Sequence, residues 1–107
     1  MTKAEVYQII SSTGLPCAYS HFSNVPATPY LVYYYPAEND FFADNSNFAN
    51  RRDLYIELYT KTKDFDAEAL VETKLSAAGL TWYKTTDFLN DEKLFQTTYE
   101  LGVIING

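Results

Sequence analysis

The sequence predicts an α+β fold: a mostly antiparallel sheet with two helices packed on one face, in the order α-β-β-β-α-β-β. Three observations predict it. Residues 3–13 and 65–78 carry apolar side chains at helical spacing between cap signals. Residues 52–60 alternate apolar and polar positions, the mark of a half-buried strand. Most of the successive strand segments can pair as hairpins, which favours an antiparallel sheet with helices set on one side.

Each element has its own signal. Thr2 and Glu5 form a capping box, Val6, Ile9, Ile10 and Thr13 follow at helical spacing, and Gly14 then Leu15-Pro16 ends the helix. Residues 17–22 (CAYSHF) read as a short strand. Pro26 and Pro29 break the connection to residues 30–35 (YLVYYY), which are rich in β-formers. One face of that strand shows Tyr30, Val32 and Tyr34, the other Leu31, Tyr33 and Tyr35. Neither is polar, so both are expected to be at least partly covered. In 52–60 the row Leu54, Ile56, Leu58 is expected in the core, opposite Tyr55, Glu57 and Tyr59, with the strand antiparallel to 30–35.

The second helix, over 65–78, opens at Asp64 or Asp66 and shows an apolar stripe of Ala67, Leu70, Val71, Leu75 and Ala78. Gly79-Leu80 predicts a Schellman stop. Residues 80–87 and 93–105 are the closing strands, joined through Leu89-Asn90-Asp91-Glu92. Phe95, Thr97, Tyr99, Leu101 and Val103 share one face of the last strand, and Gln96, Thr98 and Glu100 the other.

At 107 residues the chain is expected to form one domain spanning 1–107. Its aromatic content is 17%, with ten tyrosines, a residue type suited to half-wet sheet faces and interfaces. The net charge is −6, and Arg51-Arg52 is the sole adjacent basic pair. Binding duplex DNA by phosphate neutralisation needs clustered lysines and arginines, so direct nucleic-acid binding is not expected; an acidic wall beside DNA repels it and lets it slide. Cys17 is the single cysteine, so no intrachain disulfide can form. The N-terminal segment lacks the apolar run of a signal peptide, and no stretch approaches the ~20 apolar residues that span a bilayer.

No constellation points to catalysis. Cys17 and His21, if both extended, share a strand face but lie ~13 Å apart at ~3.3 Å per residue, too far for a nucleophile–base pair. One cysteine and one histidine do not make the usual zinc sites. Glu38, Asp40, Asp44, Asn45 and Asn47 are oxygen-rich, yet lack the mid-loop glycine and late glutamate of a calcium loop. No P-loop, dinucleotide fingerprint or G-x-S-x-G occurs. The expectation is a protein that is not an enzyme and takes no cofactor or metal.

The remaining feature is the connection over 37–51, longer than most hairpin loops. Phe41, Phe42 and Phe48 either fold back beneath it as a satellite cluster or anchor it on a neighbouring subunit, with Arg51 and Arg52 at its base pairing with acids next door.

The segments TGLPCAYSHF, PYLVYYYP, ENDFFADN, RRDLYIELYTKTKD, AAGL and KLFQTTYEL carry a resemblance over nearly the whole chain. It resembles the small tail-terminator, or tail-completion, proteins of long-tailed bacteriophages and prophages of Gram-positive bacteria. The resemblance implies a structural subunit that forms a ring, typically a hexamer, at the head-proximal end of the tail tube. That ring ends tail growth and joins tail to head. Its partners would be copies of itself, the tail tube protein and the head–tail connector proteins. DNA would pass through the lumen without specific binding, and no membrane is involved. The protein would reside in the bacterial cytoplasm during assembly and then in the virion tail, at the head–tail junction. Family members commonly reach neighbours with a hairpin or loop, which here corresponds to 37–51, and no catalytic residue comes with the family. Two other readings stand beside it: a monomeric adaptor module that binds a partner by edge-strand addition, and a small enzyme with a carboxylate pair that nothing in the sequence singles out, Glu38, Asp40 and Asp44 being the loop acids to substitute in testing it.

Overall fold

The computed structural model describes residues 1–36 and 51–105. Its elements are α1 (Lys3–Ser11), β1 (Cys17–Tyr19), β2 (Tyr30–Tyr34), β3 (Arg51–Thr60), α2 (Phe65–Ala77), β4 (Tyr83–Leu89) and β5 (Leu94–Ile104). The predicted α+β class and element order hold. The strands form a five-stranded sheet in the order β1-β2-β3-β5-β4, mixed but mostly antiparallel.

Helix α1 starts as the capping box requires: the Thr2 side chain accepts from the Glu5 N–H and the Glu5 carboxylate accepts from the Thr2 N–H. It ends at Ser11, short of the expected residue 13. The Ser12 hydroxyl donates to the Ile9 carbonyl and the Thr13 hydroxyl to that of Ile10, local bonds that compete with a further turn. Helix α2 is capped by Asp64, whose carboxylate accepts from the Ala67 N–H. It closes in the expected Schellman motif: Leu80 N–H donates to the Leu75 carbonyl and Gly79 N–H to that of Ser76, with Gly79 at φ +75.

One core lies between the helices and one sheet face. Val6 and Ile10 of α1 and Ala67, Val71 and Leu75 of α2 pack over Leu31, Tyr33, Leu54, Ile56, Leu58, Tyr99, Leu101 and Val103. The alternation read in β3 and β5 is therefore the alternation observed. The stripe read on α2 needs correction: Leu70 is 36% exposed, and Glu68 is buried instead.

Strand bounds also change, and β4 runs over Tyr83–Leu89 instead of 80–87. β1 covers only Cys17–Tyr19, because Ser20 takes a left-handed conformation (φ 71) that turns the chain out of the sheet. β1 also pairs parallel to β2, since the intervening connection carries the chain back to the end where it started. The hairpin turn occupies Asn90–Lys93, one residue later than read, with Lys93 at φ 57 and its N–H donating to the Leu89 carbonyl. Both closing strands join the main sheet. β5 pairs along the whole of β3, and β4 lies outside β5 at the sheet edge. No helix among the described residues is long and apolar enough to cross a membrane.

Candidate functional site

Both helices cover the same sheet face, and strand register fixes what the other face displays. Three rows run across β2, β3, β5 and β4 in turn: Tyr34–Tyr55–Glu100–Tyr83, then Val32–Glu57–Thr98–Thr85, then Tyr30–Tyr59–Gln96–Asp87. Glu57 sits at the centre with tyrosines on both sides along β3. Its carboxylate accepts from the Tyr59 hydroxyl at 2.8 Å and the Tyr34 hydroxyl at 3.2 Å. Gln96 donates its amide to the Tyr59 oxygen at 2.7 Å, so that phenol both gives and receives.

The rings pack as well as hydrogen-bond. Tyr30 stacks on Tyr59 with centroids 5.1 Å apart, Tyr34 meets Tyr55 edge-on at 5.6 Å, and Phe22 covers Tyr30 edge-on at 5.5 Å. Such pairs add to simple area burial and hold the rings in place. Burial, reinforced by Glu57, pushes the Tyr59 phenol above the ordinary range, and the charge of Glu100 does the same to Tyr55. At neutral pH these phenols are therefore donors and not bases. The arrangement holds phenol, carboxylate and amide groups in fixed positions on one face.

Of the residues singled out in the sequence, Phe41, Phe42 and Phe48 lie outside the described residues, as do Glu38, Asp40, Asp44, Asn45 and Asn47. Arg51 and Arg52 open β3, and strand alternation sends them to opposite faces. Arg51 is exposed on the tyrosine side, its guanidinium over Gly102; a Cβ there would come within 3.1 Å of it. Arg52 is half-buried on the helix side, registered with buried Val103. Cys17 is a half-buried free thiol whose pKa burial pushes up. His21 lies beyond the end of β1, its Nδ1 3.3 Å from the Ser20 hydroxyl, so the two never shared an extended strand. Among the described residues no three His, Cys, Asp or Glu side chains group as metal ligands would.

A second polar cluster escaped the sequence reading. Glu68, 3% exposed, places one carboxylate oxygen 2.6 Å from Lys63 Nζ and the other 2.7 Å from Lys84 Nζ. The second contact is an ion pair without an aligned hydrogen bond. Lys84 also reaches Glu72 at 2.7 Å, and the buried Tyr99 hydroxyl donates to Glu72 at 2.8 Å. Burial pushes the Glu68 carboxyl up, but Lys63 and Lys84 outweigh it and hold the group below the usual range. Glu68 and Glu72 in turn push Lys84 up. The cluster ties β4 to α2 and takes the positive charge of Lys84 inward. Glu68 and Glu72 lie one helical turn apart, but Lys84 and Tyr99 reach them from β4 and β5, which local spacing does not reveal.

No protein-family model matches the chain, and no curated protein is similar to it.

Proposed function

We propose that this chain is a structural subunit of a phage or prophage tail, one that assembles into a ring at the head-proximal end of the tail tube, stops tail growth and joins tail to head. The observation that carries the reading is the sheet face opposite the helices. It spans four strands, is built from tyrosine, carboxylate and amide groups, and holds them in fixed hydrogen bonds. Aromatic residues with a polar tip are what protein interfaces favour, and a rigid face loses little entropy when a partner docks. The resemblance in the segments from TGLPCAYSHF to KLFQTTYEL supports the same assignment. The charge of −6 suits a lumen through which DNA slides without sticking.

In this reading the segment preceding β3 supplies the contact with the neighbouring subunit or tube, with Phe41, Phe42 and Phe48 as anchors and Arg51 and Arg52 at its base. A contact between two different surfaces, repeated until it closes, gives a ring. The test is complementation of a phage lacking the protein with the Phe41→Ser, Phe42→Ser double variant. The variant is expected to fold and to leave heads and tails unjoined. Normal virion yield would overturn the role given to that segment.

A second reading, a module that binds a partner by strand addition, draws on one observation: β4 ends the sheet and is exposed along nearly its whole length. It predicts a monomer at all concentrations that captures an extended peptide.

A further inference from the structure

The two edges of the sheet differ. β1 offers three residues before Ser20 turns away, whereas β4 offers seven in unbroken register with β5. A long free edge normally carries a guard: a proline, a bulge, or a lysine whose charge repels an incoming strand. β4 has neither proline nor glycine, and its register shows no bulge. Its lysine does not guard it, because Lys84 is drawn onto α2 by Glu68 and Glu72, both at 2.7 Å. Tyr83 and Phe88 remain 69% and 46% exposed. Asp87 is the one other charged residue on the strand.

We propose that β4 is a self-pairing edge, joining two copies of this chain as antiparallel β4–β4′ about a two-fold axis at Thr86. The side chains of the strand select this occupant. Only the register centred on Thr86 pairs all seven residues, and it keeps both sheets' helices on one side. It sets Tyr83 against Leu89′, Lys84 against Phe88′, Thr85 against Asp87′ and Thr86 against Thr86′. No like charges meet, and Asp87 faces a hydroxyl donor. Centring on Asp87 would oppose two carboxylates, which disfavours that register. Centring on Thr85 would carry Phe88 and Leu89 past the end of the partner strand. Backbone pairing over seven residues makes a small interface, so the pair is weak and forms at high local concentration. It is separate from the contact that builds a ring, which is heterologous; this one is two-fold and stops at two.

The experiment is analytical ultracentrifugation of the intact chain over roughly 10 μM to 1 mM, the range in which a small interface is populated. Wild type is expected to show a monomer–dimer equilibrium. Thr85 is exposed, so its variants should fold, which circular dichroism checks. Thr85→Asp faces Asp87′ twice across the axis and should weaken pairing about tenfold or more. Thr85→Lys faces the same carboxylates and should tighten it, and adding Asp87→Lys should abolish that gain. A wild type monomeric throughout overturns the proposal. So do Thr85→Asp and Thr85→Lys variants that shift the equilibrium in the same direction, or β4 amides that gain exchange protection only from an added extended peptide.

Discussion

Replacing Lys84 with methionine removes one charge while keeping most of the side chain's apolar stem. The ammonium sits 2.7 Å from Glu68 and 2.7 Å from Glu72, and Glu68 is almost fully buried. Breaking a buried pair by deleting one partner costs about 3–5 kcal/mol when nothing else compensates. Here three things compensate. Lys63 stays on Glu68 at 2.6 Å, Tyr99 stays on Glu72, and the Lys84 and Glu72 side chains are 34% and 28% exposed, so water screens both. The expected loss is about 2 kcal/mol, or a melting temperature lower by roughly 10 °C for a domain of this size.

Urea unfolding at pH 7 measures that loss, with an unchanged m-value showing that the fold is retained. The pH dependence tests its origin. Glu68 is depressed in the folded state, so its contribution is full above the unfolded carboxylate value of ~4.3 and fades as pH falls through the folded value. Lys84 is raised, so its contribution is full below ~10.4 and fades as pH rises past the folded value. The variant's deficit should therefore be greatest near neutrality and shrink in strong acid and strong alkali. A deficit under about 0.5 kcal/mol, or one unchanged at about pH 3, would refute the reasoning.

Three further outcomes follow from the packing. Leu58→Ala empties a fully buried position in β3 and should cost about 3 kcal/mol, read by urea unfolding. Gly79→Ala meets open space but must hold φ +75, so it should cost about 1 kcal/mol through backbone strain alone; a neutral result would count against the left-handed stop. Tyr59→Phe keeps the stack on Tyr30 but takes one of two phenol donors from Glu57 and the acceptor from Gln96, and should cost about 1–2 kcal/mol, a loss that Glu57→Gln on the same background should not add to fully.

Local chemistry was legible in the sequence. Thr2 and Glu5 are three residues apart and cap each other; Leu54, Ile56 and Leu58 alternate and line the core; Gly79-Leu80 ends a helix as its type requires. What was not legible depends on residues far apart in the chain. Glu68 reads as a solvent-facing helix charge until Lys63 and Lys84 are brought to it, and Leu70 was assigned its buried place for the same reason. The parallel pairing of β1 is set by where the connection returns, which no strand propensity records. The tyrosine face was half legible. The alternation of Tyr55, Glu57 and Tyr59 and the expected pairing with residues 30–35 bring Tyr34 to them, but Gln96 joins only because β5 lies beside β3.

The most direct test of the proposed role is electron microscopy of purified protein mixed with tail tubes lacking their head-proximal cap. The account predicts a ring of this chain seated on one end of each tube, with tube growth arrested and filled heads able to attach. Tubes that stay bare and keep elongating in the presence of folded protein would contradict it.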